Sequence, residues 1–194
     1  GFIGNGAFCV GSIADEKNDK LYYFIDNITE LIQDPELTDN TIWNVSGGNT
    51  ADFSGIGAYV QSPGTGTSQH PQFYNPNVDL VDGQTYQVIV KFSQISQGGG
   101  AGAIKAFVYG VAVAGGDGSY RPYYDTSVTN GTHVSTFVFD QSQNNGVPTM
   151  RFSIELNNGD DYVKKIRVEH VSLKVVVVDP ITVSFKEDVK GWVS

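Results

Sequence analysis

The sequence is poor in most of what marks a redox, metal-dependent or nucleic-acid-binding protein. Cys9 is its one cysteine, so no internal disulfide and no thiolate metal cluster can form. Charged residues make up 17% of the 194 residues, below the roughly 25% of an ordinary globular chain. Lys and Arg number 12 against 21 Asp and Glu, a net charge of −9 without a basic stripe. Such a chain repels a phosphate backbone, which excludes general nucleic-acid binding. No apolar run approaches the ~20 residues of a membrane span, and Val175 to Val178 reads as a strand. No window carries an i, i+3, i+4, i+7 stripe, and Thr29 to Ile32 would make one helical turn at most. There is no initiator Met and no signal-peptide pattern, and the sequence stops in a strand-like stretch at Gly191 to Ser194. These features predict a segment of a longer protein.

What is present is period-two alternation. Met150, Phe152, Ile154 and Leu156 face one way, and Arg151, Ser153 and Glu155 the other. Tyr86, Val88, Val90 and Phe92 alternate with Gln87, Ile89 and Lys91. Both patterns predict half-buried antiparallel strands. Ile104 to Val113 is apolar on both faces and predicts a central strand. In the run Val163 to Val178 the phase slips between Val168 and Val171, which predicts a β-bulge near Glu169 and His170. Turn residues separate the strands: Asp82-Gly83, Gly98 to Gly100, Gly115 to Gly118, Asn130-Gly131, Asn144 to Gly146 and Asn157 to Gly159. The pattern predicts an all-β sandwich or barrel. The ends read differently from the middle. Ala7 to Ile13 and Lys20 to Ile25 predict a hairpin of their own, and a new element begins at Ile181 to Phe185. Boundaries are expected near 26 and near 178.

Catalytic patterns are missing. His70, His133 and His170 lie far apart in sequence, which predicts surface or edge histidines rather than metal ligands. There is no Gly-x-Ser-x-Gly elbow, and Gly64-Thr65-Gly66 lacks the Lys-Ser/Thr that grips phosphate. Asp160-Asp161 would point to opposite sides of an extended chain, and Glu155 and Asp125 stand alone, so no glycosidase-type acid pair is visible. The chain therefore reads as non-enzymatic. Asp34, Glu36 and Asp39, with loop carbonyls, are the hard-oxygen set that would suit a structural Ca²⁺.

The informative feature is aromatic: 10 Tyr, 11 Phe and 2 Trp. Tyr74 and the run Tyr120-Arg121-Pro122-Tyr123-Tyr124 fall in loop-like stretches. A tyrosine face packs against the C–H face of a sugar while amides bind hydroxyls, and the same residues suit a protein–protein contact. Trp43, Tyr74, Tyr120, Arg121 and Tyr123 are the candidate ligand-binding residues on this reasoning.

Two resemblances follow from particular segments. Leu31 to Leu37 leading to Trp43-Asn44-Val45-Ser46-Gly47, Leu80-Val81-Asp82-Gly83-Gln84-Thr85-Tyr86, and Ile166 to Leu173 with its bulge are similar to segments of jelly-roll carbohydrate-binding modules of the galactose-binding-like superfamily. The resemblance implies a jelly-roll β-sandwich over 27–177. In that family an Asp usually holds the place of His170 and often helps a structural Ca²⁺, so His170 is a departure. The segments Cys9 to Ile25 and Phe185 to Ser194 resemble tail-associated, β-propeller-like structural proteins of short-tailed bacteriophages, crAss-like or marine ones among them. That resemblance implies that 1–26 and 178–194 are pieces of a flanking β domain into which the sandwich is inserted.

The expected function is a non-enzymatic structural protein of a bacteriophage virion, in the tail or near the portal. It would be assembled in the host cytoplasm, with other virion proteins and copies of itself in a ring as partners. The sandwich would serve subunit contacts or adhesion to a cell-surface glycan. The alternative is an extracellular carbohydrate-binding module of a secreted polysaccharide-degrading enzyme.

Overall fold

A computed structural model describes residues 8–15, 20–26, 29–62, 72–96, 104–111, 120–126, 128–156 and 163–176. His70, Gly64 to Gly66, the turns at Gly98, Gly115 and Asn157, Asp160-Asp161 and the element expected at 181–185 lie outside the described residues. Among the described residues no helix is long and apolar enough to cross a membrane.

Backbone contacts divide the chain into two units, Gly1–Ile28 with Val177–Ser194, and Thr29–Val176. In the first unit β1 (Phe8–Asp15) and β2 (Lys20–Asp26) pair antiparallel as a two-stranded sheet, with a register shift between Cys9 and Gly11. This is the hairpin that the sequence predicts.

The second unit is a jelly-roll sandwich of two antiparallel sheets. Its strands are β3 (Asn44–Val45), β4 (Thr50–Asp52), β5 (Ala58–Gln61), β6 (Gln72–Tyr74), β7 (Val78–Asp79), β8 (Thr85–Ser96), β9 (Ile104–Gly110), β10 (Tyr123–Asp125), β11 (Gly131–Val138), β12 (Thr149–Leu156) and β13 (Lys165–Val175). The six-stranded sheet runs β10-β9-β12-β6-β3, with β7 also on β12; the five-stranded sheet runs β11-β8-β13-β5-β4.

Alternation decides which side chains meet between the sheets. Tyr86, Val88, Val90 and Phe92 of β8 are buried, as are Met150, Phe152, Ile154 and Leu156 of β12, and they belong to one hydrophobic core. The expected bulge is present: the pairing of β13 with β8 shifts between Val168 and His170, so Val168 and Val171 both face inward although three residues apart. Gly57 packs against this kink. A Cβ there would stand 2.0 Å from the Val168 carbonyl oxygen, and its φ of +67° is itself unfavourable to other residues.

At the start of the sandwich Glu30 bridges to β13, at Lys174, and the chain then turns. The cause is Asp34. Its carboxylate accepts from the Thr38 amide and hydroxyl and from the Asp39 amide, closing the chain on itself. At the other edge of that bridge, Glu30 accepts from the Leu173 amide (2.9 Å) and the Ser172 hydroxyl, and Leu31 N–H donates to the Leu173 carbonyl. The first and last described residues of the sandwich thus lie side by side.

Candidate functional site

The outer face of the six-stranded sheet differs from the core face by one residue of phase. On β9, Ile104, Ala106 and Val108 point inward, which sends Lys105, Phe107 and Tyr109 outward. Register carries the same parity across the sheet: Tyr124 opposes Phe107, Arg151 opposes Tyr109, and Ser153 stands between Phe107 and Tyr74. Tyr124, Phe107, Tyr109, Arg151, Ser153 and Tyr74 therefore share one surface over β10, β9, β12 and β6.

These side chains form a continuous row. The Arg121 guanidinium carbon lies 5.0 Å from the Tyr124 ring centroid and 4.9 Å from that of Phe107. Phe107 and Tyr109 meet edge to face at 5.3 Å. Arg151 donates to the Tyr109 hydroxyl (3.3 Å) and to Asn77 Oδ1 (2.8 Å), and its guanidinium carbon is 4.3 Å from the Tyr74 centroid. Tyr109 in turn donates to Gln72 Oε1 at 3.2 Å. Each cation–π pair is worth ~0.5–2 kcal/mol, so rings and guanidinium groups hold one another in place. Tyr124 is 44% exposed, and Tyr74, Tyr109 and Gln72 are half-buried. The Ser153 hydroxyl, in the floor of the row, is buried without a hydrogen-bond partner among the described residues.

Arg121 also borders an open cleft of about 480 Å³ that Tyr120, Pro122 and Gln143 complete. Tyr120 is braced there: its hydroxyl accepts from the Asp140 amide at 3.0 Å and its ring packs on Phe139. Burial, the largest influence, pushes its phenol above the ordinary tyrosine value.

The sequence-predicted residues divide accordingly. Tyr74 and Arg121 lie in the row, and Tyr120 lies beside it in the cleft. Trp43 and Tyr123 do not present rings to a ligand. Trp43 is 4% exposed, stacks on Phe73 at 4.9 Å and donates to the Asp34 carbonyl. Tyr123 is 6% exposed because it pairs with Val108 and shares its inward parity; burial pushes its phenol up. The residues that sequence reasoning missed are Tyr109, Phe107, Tyr124 and Arg151. Parity against the core would have found the first two, but Ile104 to Val113 looked apolar on both faces because Phe107 is itself covered.

The calcium set does not assemble. Asp34 and Asp39 each spend a carboxylate on loop hydrogen bonds, Asp39 through the amide and hydroxyl of Thr41. Those bonds hold the Asp39 carboxyl below the usual carboxylate range. Glu36 instead meets His170 Nδ1 at 2.9 Å. Among the described residues no three His, Cys, Asp or Glu side chains gather where an ion could sit. His133 likewise has partners of its own, Asp125 at 3.0 Å and the Thr129 carbonyl at 2.8 Å.

No protein-family model matches the chain, and no curated protein matches it. Among solved structures it is similar to the enzymatically active domain of tailspike protein 4 of bacteriophage CBA120, with a TM-score of 0.52 and 10% identity over 76% of this chain and 21% of that one. It is also similar to the second N-terminal cellulose-binding domain of Cellulomonas fimi β-1,4-glucanase C, with a TM-score of 0.48 and 15% identity over 78% of this chain and 97% of that one. A CBM4 structure has a TM-score of 0.47 and 15% identity over 70% of this chain and 94% of that one. At 10% identity the likeness to the tailspike domain is one of fold alone, and the fold is an all-β jelly-roll sandwich.

Proposed function

We propose that the sandwich is a non-catalytic carbohydrate-binding module and that the outer face of its six-stranded sheet is the binding surface. The observation that carries this reading is the row Tyr124, Arg121, Phe107, Tyr109, Arg151 and Tyr74, fixed in place by ring and guanidinium contacts. The exposed Tyr124 ring and the half-buried Tyr109 and Tyr74 rings offer apolar surface to pyranose C–H groups over the buried Phe107, while Gln72, Asn77 and the tyrosine hydroxyls offer polar atoms. The row crosses three strand spacings, ~14 Å, which suits a stretch of polysaccharide better than a single sugar. The acids of this face have other duties: Glu155 pairs with Lys105 at 3.2 Å and Asp79 accepts from Thr149 at 2.6 Å. In this reading the module tethers a polysaccharide-degrading enzyme to its substrate outside the cell.

The test is retention of the full chain in native gels containing xylan, hydroxyethylcellulose, β-1,3-glucan or polygalacturonate. Retardation by at least one of them, reduced in Tyr124→Ala, supports the reading; migration unaffected by all four defeats it.

A second reading makes the same sandwich a structural domain of a bacteriophage virion, in contact with other virion proteins. It is favoured by the adjacency of the sandwich's two ends at Glu30 and Leu173, which lets such a module sit within a host domain at little loop-closure cost. A ring-like oligomer of the full chain in light scattering would favour it over the first.

A further inference from the structure

Resting on the glycan-binding reading, we propose that this face takes an acidic polysaccharide, its carboxylates held by Arg121 and Arg151. The argument is one of charge without a partner. Lys91, Lys105, His133 and His170 each meet a carboxylate: Glu169, Glu155, Asp125 and Glu36. On the other sheet Arg167 lies in the field of Asp52 and Glu169 and is bonded to Gln94 and to the Ile56 carbonyl. Arg121 and Arg151 have no carboxylate partner among the described residues, as is true of Lys165 and Lys174 on the five-stranded sheet. Both arginines sit on the aromatic row.

Their geometry leaves them available. A guanidinium stacks through its flat face and donates through its edge, so packing on rings does not consume its N–H groups. The Arg121 guanidinium carbon lies over the Phe107 and Tyr124 rings, and the group makes no hydrogen bond among the described residues. Arg151 spends Nε on Asn77 and Nη1 on Tyr109, which leaves Nη2 without a hydrogen-bond partner among the described residues. A planar fork matches a carboxylate two bonds at a time. The acids on the same face that would compete are already engaged, Glu155 by Lys105 and Asp79 by Thr149.

The net charge of −9 opposes a polyanion at long range. At physiological salt that repulsion is screened beyond ~8 Å, so contact pairing at the row decides. Arg121 and Arg151 stand about two strand spacings apart, ~10 Å, and a polymer that repeats its acid can engage both.

The test compares gels containing polygalacturonate, neutral xylan and, as a polyanion without sugar, polyglutamate, using the full chain and the variants Arg121→Gln and Arg151→Gln. The expected result is retardation by polygalacturonate that exceeds that by xylan and polyglutamate. Each variant should weaken it by about tenfold or more, the range of a charge-assisted hydrogen bond. Arg151 also braces Asn77 and Tyr109, so Arg121→Gln, at an exposed side chain, carries the test if Arg151→Gln unfolds. Retardation by xylan with none by polygalacturonate overturns the acidic ligand and leaves the glycan-binding reading standing. Undiminished binding in Arg121→Gln, or equal retardation by polyglutamate, also overturns it. No retardation by either polysaccharide overturns the acidic ligand, and none by hydroxyethylcellulose or β-1,3-glucan as well overturns both.

Discussion

The Arg151 guanidinium carbon lies 4.3 Å from the centre of the Tyr74 ring, and the two residues come from neighbouring strands of the six-stranded sheet. Neither is meaningful alone. Tyr74 without Arg151 is a half-buried ring on a short strand, and Arg151 without Tyr74 keeps only its bonds to Asn77 and Tyr109. Together they fix one end of a binding row whose other end is Tyr124. Tyr74→Ala should therefore weaken polysaccharide binding by about tenfold, from loss of a platform and of a cation–π contact worth ~0.5–2 kcal/mol. Tyr124→Ala should weaken it similarly while leaving the thermal midpoint unchanged, since Tyr124 is exposed. Calorimetric titration alongside thermal melting checks both.

Trp43 belongs to the core, stacked on Phe73 and edge-on to Phe152. Trp43→Ala should cost ~3–5 kcal/mol of stability, the range for deleting a buried aromatic side chain. Trp43→Phe should cost less and leave polysaccharide affinity intact, measured by denaturant unfolding and titration. A loss of affinity in folded Trp43→Phe would return Trp43 to the binding surface.

Gly57→Ala tests the bulge. The added methyl would stand 2.0 Å from the Val168 carbonyl oxygen, on a backbone with φ of +67°. The left-handed conformation alone costs a non-glycine residue ~1–2 kcal/mol, and the clash adds to it. A loss of more than ~2 kcal/mol in urea unfolding is expected; a loss under ~0.5 kcal/mol would show that the kink does not depend on this approach.

The sheet architecture was legible in the sequence and the binding row largely was not, for related reasons. Alternation in Tyr86 to Phe92 and Met150 to Leu156 announces which residues face inward, and the phase slip in Ile166 to Leu173 announces the bulge. Both are local signals. Whether Tyr123 or Tyr124 faces out depends on which residue of β9 it opposes, and that register is set by a partner strand distant in sequence. Arg151 was correctly placed on the outward parity of β12, but nothing in the sequence says that Tyr74 lies under it. Asp34 and Asp39, expected beside a calcium ion, are turn-forming residues with oxygens committed to nearby amides.

The Lys91–Glu169 pair beside the bulge gives a pH signature. Glu169 is held below the usual carboxylate range by its bond from Lys91 first and from Ser93 second, and Lys91 is raised by Glu169. A depressed carboxyl contributes stability that is present above its unfolded value of ~4.3 and is lost as pH falls through the lower folded value. The raised lysine contributes stability present below its unfolded value of ~10.4 and lost as pH rises through the higher folded one. The stability difference between wild type and Glu169→Gln should therefore be flat between about pH 5 and 10 and shrink at both extremes. Lys91 is half exposed, so added salt should reduce the difference. Urea midpoints across pH and at two salt concentrations check this.

The most direct measurement is backbone amide shift mapping of the full chain during titration with an oligosaccharide cut from whichever polysaccharide retards it. The account predicts that shifts concentrate at residues 72–74, 105–109, 121–124 and 149–155, the strands and lead-in of one sheet face. Shifts confined to the five-stranded sheet, around 85–93 and 131–138, would contradict it.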